Sequence, residues 1–260
     1  MAKKRMLEGT FVHLPNIDTR RERRLWAGGI HSWEGFLERF GKSPFHRLQC
    51  STIESSREAL KHGDGDFFAD ALPDDEAWRC FPHFKKIAYL DIETTGLAPD
   101  SDYVTVIGVF DGAKTHSYVH GINLDRFRDD IAEYDMVVTF NGSQFDIPFL
   151  KKHIPGVKIP LLHADLRFIL ASLDVRGGLK KIERQFGFER DDDIRNMNGY
   201  SAVLLWQSYL RSKDESVLDR LVRYNSADIG NLEKLMGWAY KEKRARTGFD
   251  DLRSKPGKQV

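Results

Sequence analysis

Four acids in this chain fall in windows whose residue types could do chemistry together, and two of them, Asp91 and Glu93, stand where apolar residues would be expected. Asp91 and Glu93 occupy Leu90-Asp91-Ile92-Glu93-Thr94-Thr95-Gly96, directly after the apolar run Ile87-Ala88-Tyr89-Leu90. Asp146 follows Asn141-Gly142-Ser143-Gln144-Phe145, and Asp228 closes Tyr224-Asn225-Ser226-Ala227-Asp228. Two residues apart on a strand, Asp91 and Glu93 leave the same face. Carboxylates are rarely buried unless paired or bound to metal. Each window alone has a plain reading: a solvated strand end for Asp91 and Glu93, a helix-start acid favoured by the macrodipole for Asp146, and a surface acid beside a packed tyrosine for Asp228. Their conjunction, on a strand, at a strand-to-helix edge and on a helix, is the specific signal. Four carboxylates gathered at one point require divalent cations.

The intervening elements must bring these windows together. Ile87–Leu90 reads as a buried strand and Tyr103–Phe110 as a β-branched second one; Asp111-Gly112 is a hairpin signal, returning Thr115–Val119 as an antiparallel third. Leu124, Phe127, Ile131 and Ala132 recur with helical spacing before a fourth strand at Met136–Phe140. A helix over Phe145–His153, a fifth strand over Lys158–Leu162 and a helix from Asp165 to about Ser172 follow, and 178–246 reads as helices. Strands first, then alternation of helix and strand, is the order of an α/β, ribonuclease-H-like fold: a mixed five-stranded sheet flanked by helices.

At 260 residues, 41% hydrophobic and 30% charged, the chain can bury an ordinary core. No apolar run suffices for a membrane span and the start lacks a secretory signal, so a cytoplasmic location is expected. Cys50 and Cys80 match neither a disulfide framework nor zinc spacing, which argues against redox and zinc chemistry. The net charge of +1 hides an uneven distribution: twelve Lys or Arg against seven acids over residues 1–61, then six acids with Arg79 alone over 62–84. The expected organisation is a small helical amino-terminal appendage (1–61), an acidic linker (62–84) rich in Gly, Pro and Asp, the α/β domain (85–246) and a flexible tail (247–260).

The three windows resemble the motifs of the DEDD, or DnaQ-like, 3′-to-5′ exonuclease superfamily. Asp91-Ile92-Glu93-Thr94-Thr95-Gly96 matches the first, Asn141 through Asp146 the second, and Tyr224 with Asp228 the third. Tyrosine in the third motif is similar to the DEDDy subgroup, and Leu179-Lys180-Lys181-Ile182-Glu183 resembles a helix of YprB-like ribonuclease-H-like proteins. The resemblance implies two divalent cations, Mg²⁺ or Mn²⁺, held by Asp91, Glu93, Asp146 and Asp228, with Asp91 bridging both. It further implies that Tyr224 orients or deprotonates the attacking water. A phenol titrating near 10 is a poor base, which favours orientation. The implied partner is nucleic acid, single-stranded 3′ ends above all; no protein partner is indicated. Thr94, Thr95 and Gly96 are expected to touch the terminal nucleotide, although such a turn also forms for structural reasons. Asn141 and Phe145 are expected to line the nucleotide slot, and Phe145 suits the core equally well. His163 and Asp165 fit a satisfied histidine and a helix cap better than catalysis.

Phe11–Glu34 resembles part of a helix-hairpin-helix, with Thr19-x-x-Glu22 as a capping box and Ser32 as a second cap. The glycine-hydrophobic-glycine turn of that motif is Asn16-Ile17-Asp18 here, and Asp18 would repel phosphate. A packed structural appendage is the stronger reading, while Arg20, Arg21, Arg23 and Arg24 suit salt-sensitive binding of a polyanion. Three functions remain open: a 3′-5′ exonuclease, an endonuclease on structured or hybrid nucleic acid, and a non-catalytic nucleic-acid-binding module.

Overall fold

A computed structural model of the chain describes residues 6–254; Met1–Arg5 at the basic start and 255–260 of the expected tail lie outside the described residues. The described chain divides into two compact units, one made of 6–85 with 237–254 and the other of 86–236.

The first unit is helical: α1 (Thr19–Ala27), α2 (Trp33–Phe40), α3 (Arg47–His62) and α4 (Gly65–Ala71). Asp18, not Thr19, caps α1, its carboxylate accepting from the Arg21 N–H at 2.8 Å. Glu22 therefore does not close a capping box. It turns inward, where it accepts from the Phe11 N–H at 2.6 Å and pairs with Arg79 at 2.8 Å. Burial of both partners makes that ion pair a fixed joint, because neither charge can be left alone in the interior. Ser32 caps α2 as expected. The stretch 62–84 is folded: α4 and a 3-10 segment at Asp74–Cys80 bury Phe68, Trp78 and Arg79. Five of its six acids are exposed and the sixth, Glu76, pairs with the buried Arg79 at 2.5 Å, which is why its composition looks like that of a connection.

The second unit carries the sheet, built from β1 (Ile87–Thr94), β2 (Val104–Phe110), β3 (Thr115–Val119), β4 (Met136–Thr139) and β5 (His163–Asp165) in the order β3-β2-β1-β4-β5. The first three strands form the antiparallel meander, and β4 and β5 add in parallel beside β1. The fifth strand is not Lys158–Leu162. Pro160 has no N–H to give a ladder, and pairing with β4 begins at Val137 opposite His163. Around the sheet run α5 (Phe127–Ile131), α6 (Asp146–His153), α7 (Leu166–Ala171), α8 (Leu179–Gln185), α9 (Asp192–Arg195), α10 (Gly199–Ser212) and α11 (Glu215–Gly230). Alternation along β1 sends Ala88, Leu90 and Ile92 into one core with Phe127, Phe149 and Leu150. The other face, bearing Val106 of β2, is covered by Trp206 of α10 and Leu218, Leu221 and Tyr224 of α11. Asp91 and Glu93 belong to that second face. Two further helices, α12 (Leu232–Thr247) and α13 (Phe249–Ser254), end the described chain. Part of the expected tail is thus helical, with Phe249 buried against Trp26 at 5.0 Å between ring centres.

Candidate acidic metal site

β1 lies in the middle of the sheet, so its two acids emerge against a covered face rather than into bulk water. There α11 crosses β1 and β2. Tyr224 and Asp228, one helical turn apart, face the strand together. Oxygens of Asp91, Glu93 and Asp228 lie within 4.8 Å of one another. Asp146, the first residue of α6, is buried beside them and accepts from the Ile92 N–H at 3.1 Å. The structure thus brings all four sequence-predicted acids and Tyr224 to one place, with Asp146 outside the tightest trio.

The electrostatics are those of a site short of positive charge. Burial, then repulsion from Asp146, Asp228 and Glu93, pushes Asp91 well above the usual carboxylate range. Glu93 is raised for the same reasons, burial first and Asp228 next. Burial pushes Asp146 up to about 7 against the opposing effect of its backbone hydrogen bonds. Asp228 is raised by burial and held back by Arg190. The donors are all oxygen, the charges repel, and their spacing suits one hard divalent ion or two adjacent ones. On these grounds the residues fit a hard divalent cation.

Several side chains besides the predicted site residues hold the acids in place. Asn225 donates from Nδ2 to Asp91 Oδ2 at 3.0 Å and to its carbonyl at 3.2 Å. Gly108, opposite Asp91 in the β1–β2 register, leaves the space Asn225 fills; a Cβ there would overlap Asn225 Oδ1. Arg190 donates to Asp228 Oδ1 at 2.6 Å and, through Nε, to Glu183 Oε2 at 2.8 Å; Asn231 holds the other Glu183 oxygen at 3.0 Å. Glu183 is the last residue of the Leu-Lys-x-x-Glu motif in α8, and Lys180 of that helix donates to the Tyr224 hydroxyl at 2.9 Å with its ammonium 4.5 Å from the ring centre. Tyr224 in turn supports the Asp228 carboxylate. Burial, then the charges of Asp228, Glu93 and Asp91, pushes this phenol far above its usual range.

The residues expected to contact substrate are largely engaged within the protein. The Thr94 hydroxyl donates to the Gly96 carbonyl at 2.5 Å, and Thr95 donates to Asp102 at 3.0 Å. Asp102 occupies the space a Cβ on Gly96 would need. Phe145 packs on the core and against Phe149 at 4.8 Å. Asn141, at φ +70°, receives a hydrogen bond from Arg167. Asp165 caps α7 and also accepts from the Asn141 and Ser143 N–H groups, so it shapes the turn that delivers Asp146. His163 bonds Thr139 at 2.8 Å.

Residues 88–240 match the family described as the RNase_H superfamily, and the chain belongs to it. No curated protein matches the chain. Among solved structures it is similar to the family B DNA polymerase from the hyperthermophilic archaeon Pyrobaculum calidifontis, at 19% identity and TM-score 0.47, over 65% of this chain and 27% of the polymerase. A structure described as the apo form of a nuclease aligns at 18% identity and TM-score 0.35, over 69% of this chain and 92% of that one. Brucella melitensis NrnC aligns at 17% identity and TM-score 0.32, over 62% and 84%. Among the described residues no helix is long and apolar enough to cross a membrane.

Proposed function

We propose that this protein is a metal-dependent 3′-5′ exonuclease of the DEDDy type, acting on single-stranded DNA or RNA, with residues 85–246 as the catalytic domain. The observation that carries the reading is the convergence of Asp91, Glu93 and Asp228 within 4.8 Å, with Asp146 buried alongside. Divalent cations held by these four acids would neutralise the charge that builds on the attacking and leaving oxygens of a phosphodiester. The chain's own contribution is orientation. Asn225 sets the Asp91 carboxylate, Arg190 fixes one oxygen of Asp228, and Lys180 aims the Tyr224 hydroxyl. A buried phenol whose pKa is pushed upward is suited to position the attacking water by a hydrogen bond rather than to take its proton.

The test is incubation with 5′-labelled single strands and Mg²⁺ or Mn²⁺. A ladder of shortened products is expected, abolished by EDTA and by Asp91→Ala. Cleavage of a circular single strand would replace the exonuclease by the endonuclease reading, since a circle has no end. Salt-sensitive binding with no metal-dependent cleavage of any strand would leave only the binding module.

A further inference from the structure

The first unit contains a groove of about 900 Å³ lined by the end of the Pro15–Asp18 turn, α1, α2 and the turn before α3. Its lining is mainly apolar, including Ile17, Leu25 and Phe40, yet it bears Arg21, Arg24 and Arg39 and no carboxylate. All three arginines are exposed, and Arg24 and Arg39 form no ion pair among the described residues. On one wall Phe40 and His46 are stacked, ring centres 4.3 Å apart and planes at 21°. Next to His46 in sequence, Phe45 is 90% exposed.

We propose that this groove is a binding site for single-stranded nucleic acid, in addition to the acidic site; the proposal rests on the nuclease reading for its choice of polyanion. An occupant must bring negative charge to the arginines and flat or apolar surface to the floor. A single strand does both: its phosphates meet guanidinium groups while unpaired bases lie on Ile17, Phe40 and His46, in the combination of positive groove and stacking platform that such strands use. A duplex satisfies only half of this, because its bases are already stacked on one another. The arginines reach the phosphates through side chains, so the acidic Asp18 at the turn, engaged with the Arg21 N–H, is no obstacle.

The experiment is fluorescence anisotropy of fluorescein-labelled oligothymidylate and oligoadenylate RNA in EDTA across a salt series, comparing the wild type with Arg24→Ser/Arg39→Ser. Arg21 is left alone because its guanidinium bonds the Asn16 carbonyl. Both changed residues are exposed, and an unaltered melting temperature confirms folding. Affinity should fall at least tenfold at low salt, and the slope of log K against log salt should drop by about 1.4, from two lost phosphate contacts at roughly 0.7 each. Unchanged affinity and slope overturn the site. Equal affinity for a duplex of the same length overturns the single-strand assignment. Displacement of the strand by polyglutamate from the wild type but not from the variant would assign the groove to an acidic peptide instead. Since binding is read without divalent cation, failure of cleavage and failure of the groove are separate results.

Discussion

Asp146 should make the metal-free protein less stable as pH rises, against the usual behaviour of a native carboxylate. Its ordinary value of 3.8 is pushed up to about 7 in the folded chain, chiefly by burial. Between these values the folded state holds a proton that the unfolded state has released. The resulting stability is complete below 3.8 and is lost as pH rises through 7. A shift of about three pH units at about 1.4 kcal/mol each gives roughly 4 kcal/mol between acid and mildly alkaline solution. Asp146→Asn removes the titration while its amide oxygen can still accept from the Ile92 N–H. The assay is urea unfolding in EDTA, wild type against Asp146→Asn, from about pH 5 to about pH 8. The difference between the proteins should change by roughly 3 kcal/mol over that range, since about a third of the titration lies below pH 5, the variant gaining relative to the wild type as pH rises. Adding Mn²⁺ at the upper pH should restore the wild type and act weakly on the variant. A difference that stays flat with pH would refute the argument, because it would mean that Asp146 is not desolvated in the folded chain.

Tyr224→Phe should lower hydrolysis by about 10- to 100-fold, the scale of an orienting hydrogen bond, and Asp91→Ala by more; steady-state rates on a labelled strand check the order. Arg190→Met should cost about 3 to 5 kcal/mol in urea unfolding, because it strands Glu183 and Asp228 without their shared cationic partner. Gly108→Ala should cost about 1 to 3 kcal/mol by overpacking against Asn225, and a loss of Mn²⁺ affinity in calorimetry should accompany it, since Asn225 sets Asp91. Asp165→Ala should weaken cleavage without touching Asp91, Glu93 or Asp228, because it releases the Asn141–Ser143 turn before Asp146.

The acids are legible in the sequence because their types conflict with their surroundings. An Asp and a Glu at the end of an apolar strand advertise themselves within a few residues, and strand alternation settles that they share a face. The meander and its turn are legible for the same local reason: β-branched runs around Asp111-Gly112 admit one pairing. The fifth strand is misread where locality fails. Lys158–Leu162 contains the apolar residues, with Ile159 and Leu162 buried, yet the hydrogen-bonding partner of β4 is the more polar His163–Asp165. Hydropathy reports burial, and an extended connection beside a sheet is buried too.

The supports of the site are hidden by a different cause. Arg190 looks like an ordinary surface cation, and Asn225, although it stands inside the third window, is an uncharged polar residue; their meaning lies in partners 38 and 134 residues away. Glu22 shows the same limit, since its spacing from Thr19 suggests a local cap while its carboxylate is held by Arg79, 57 residues on. A buried carboxylate nevertheless demands compensation, and the amino-acid sequence alone is enough to raise that demand. If four acids meet at one point, some cation or amide elsewhere must hold each one when no metal does, and Arg or Lys in short helices between the second and third motifs are natural candidates. Lys180, Glu183 and Arg190 occupy that interval. The Leu-Lys-x-x-Glu helix thus belongs to the acidic site through its charges: Lys180 on Tyr224, and Glu183 as the anchor that keeps Arg190 on Asp228.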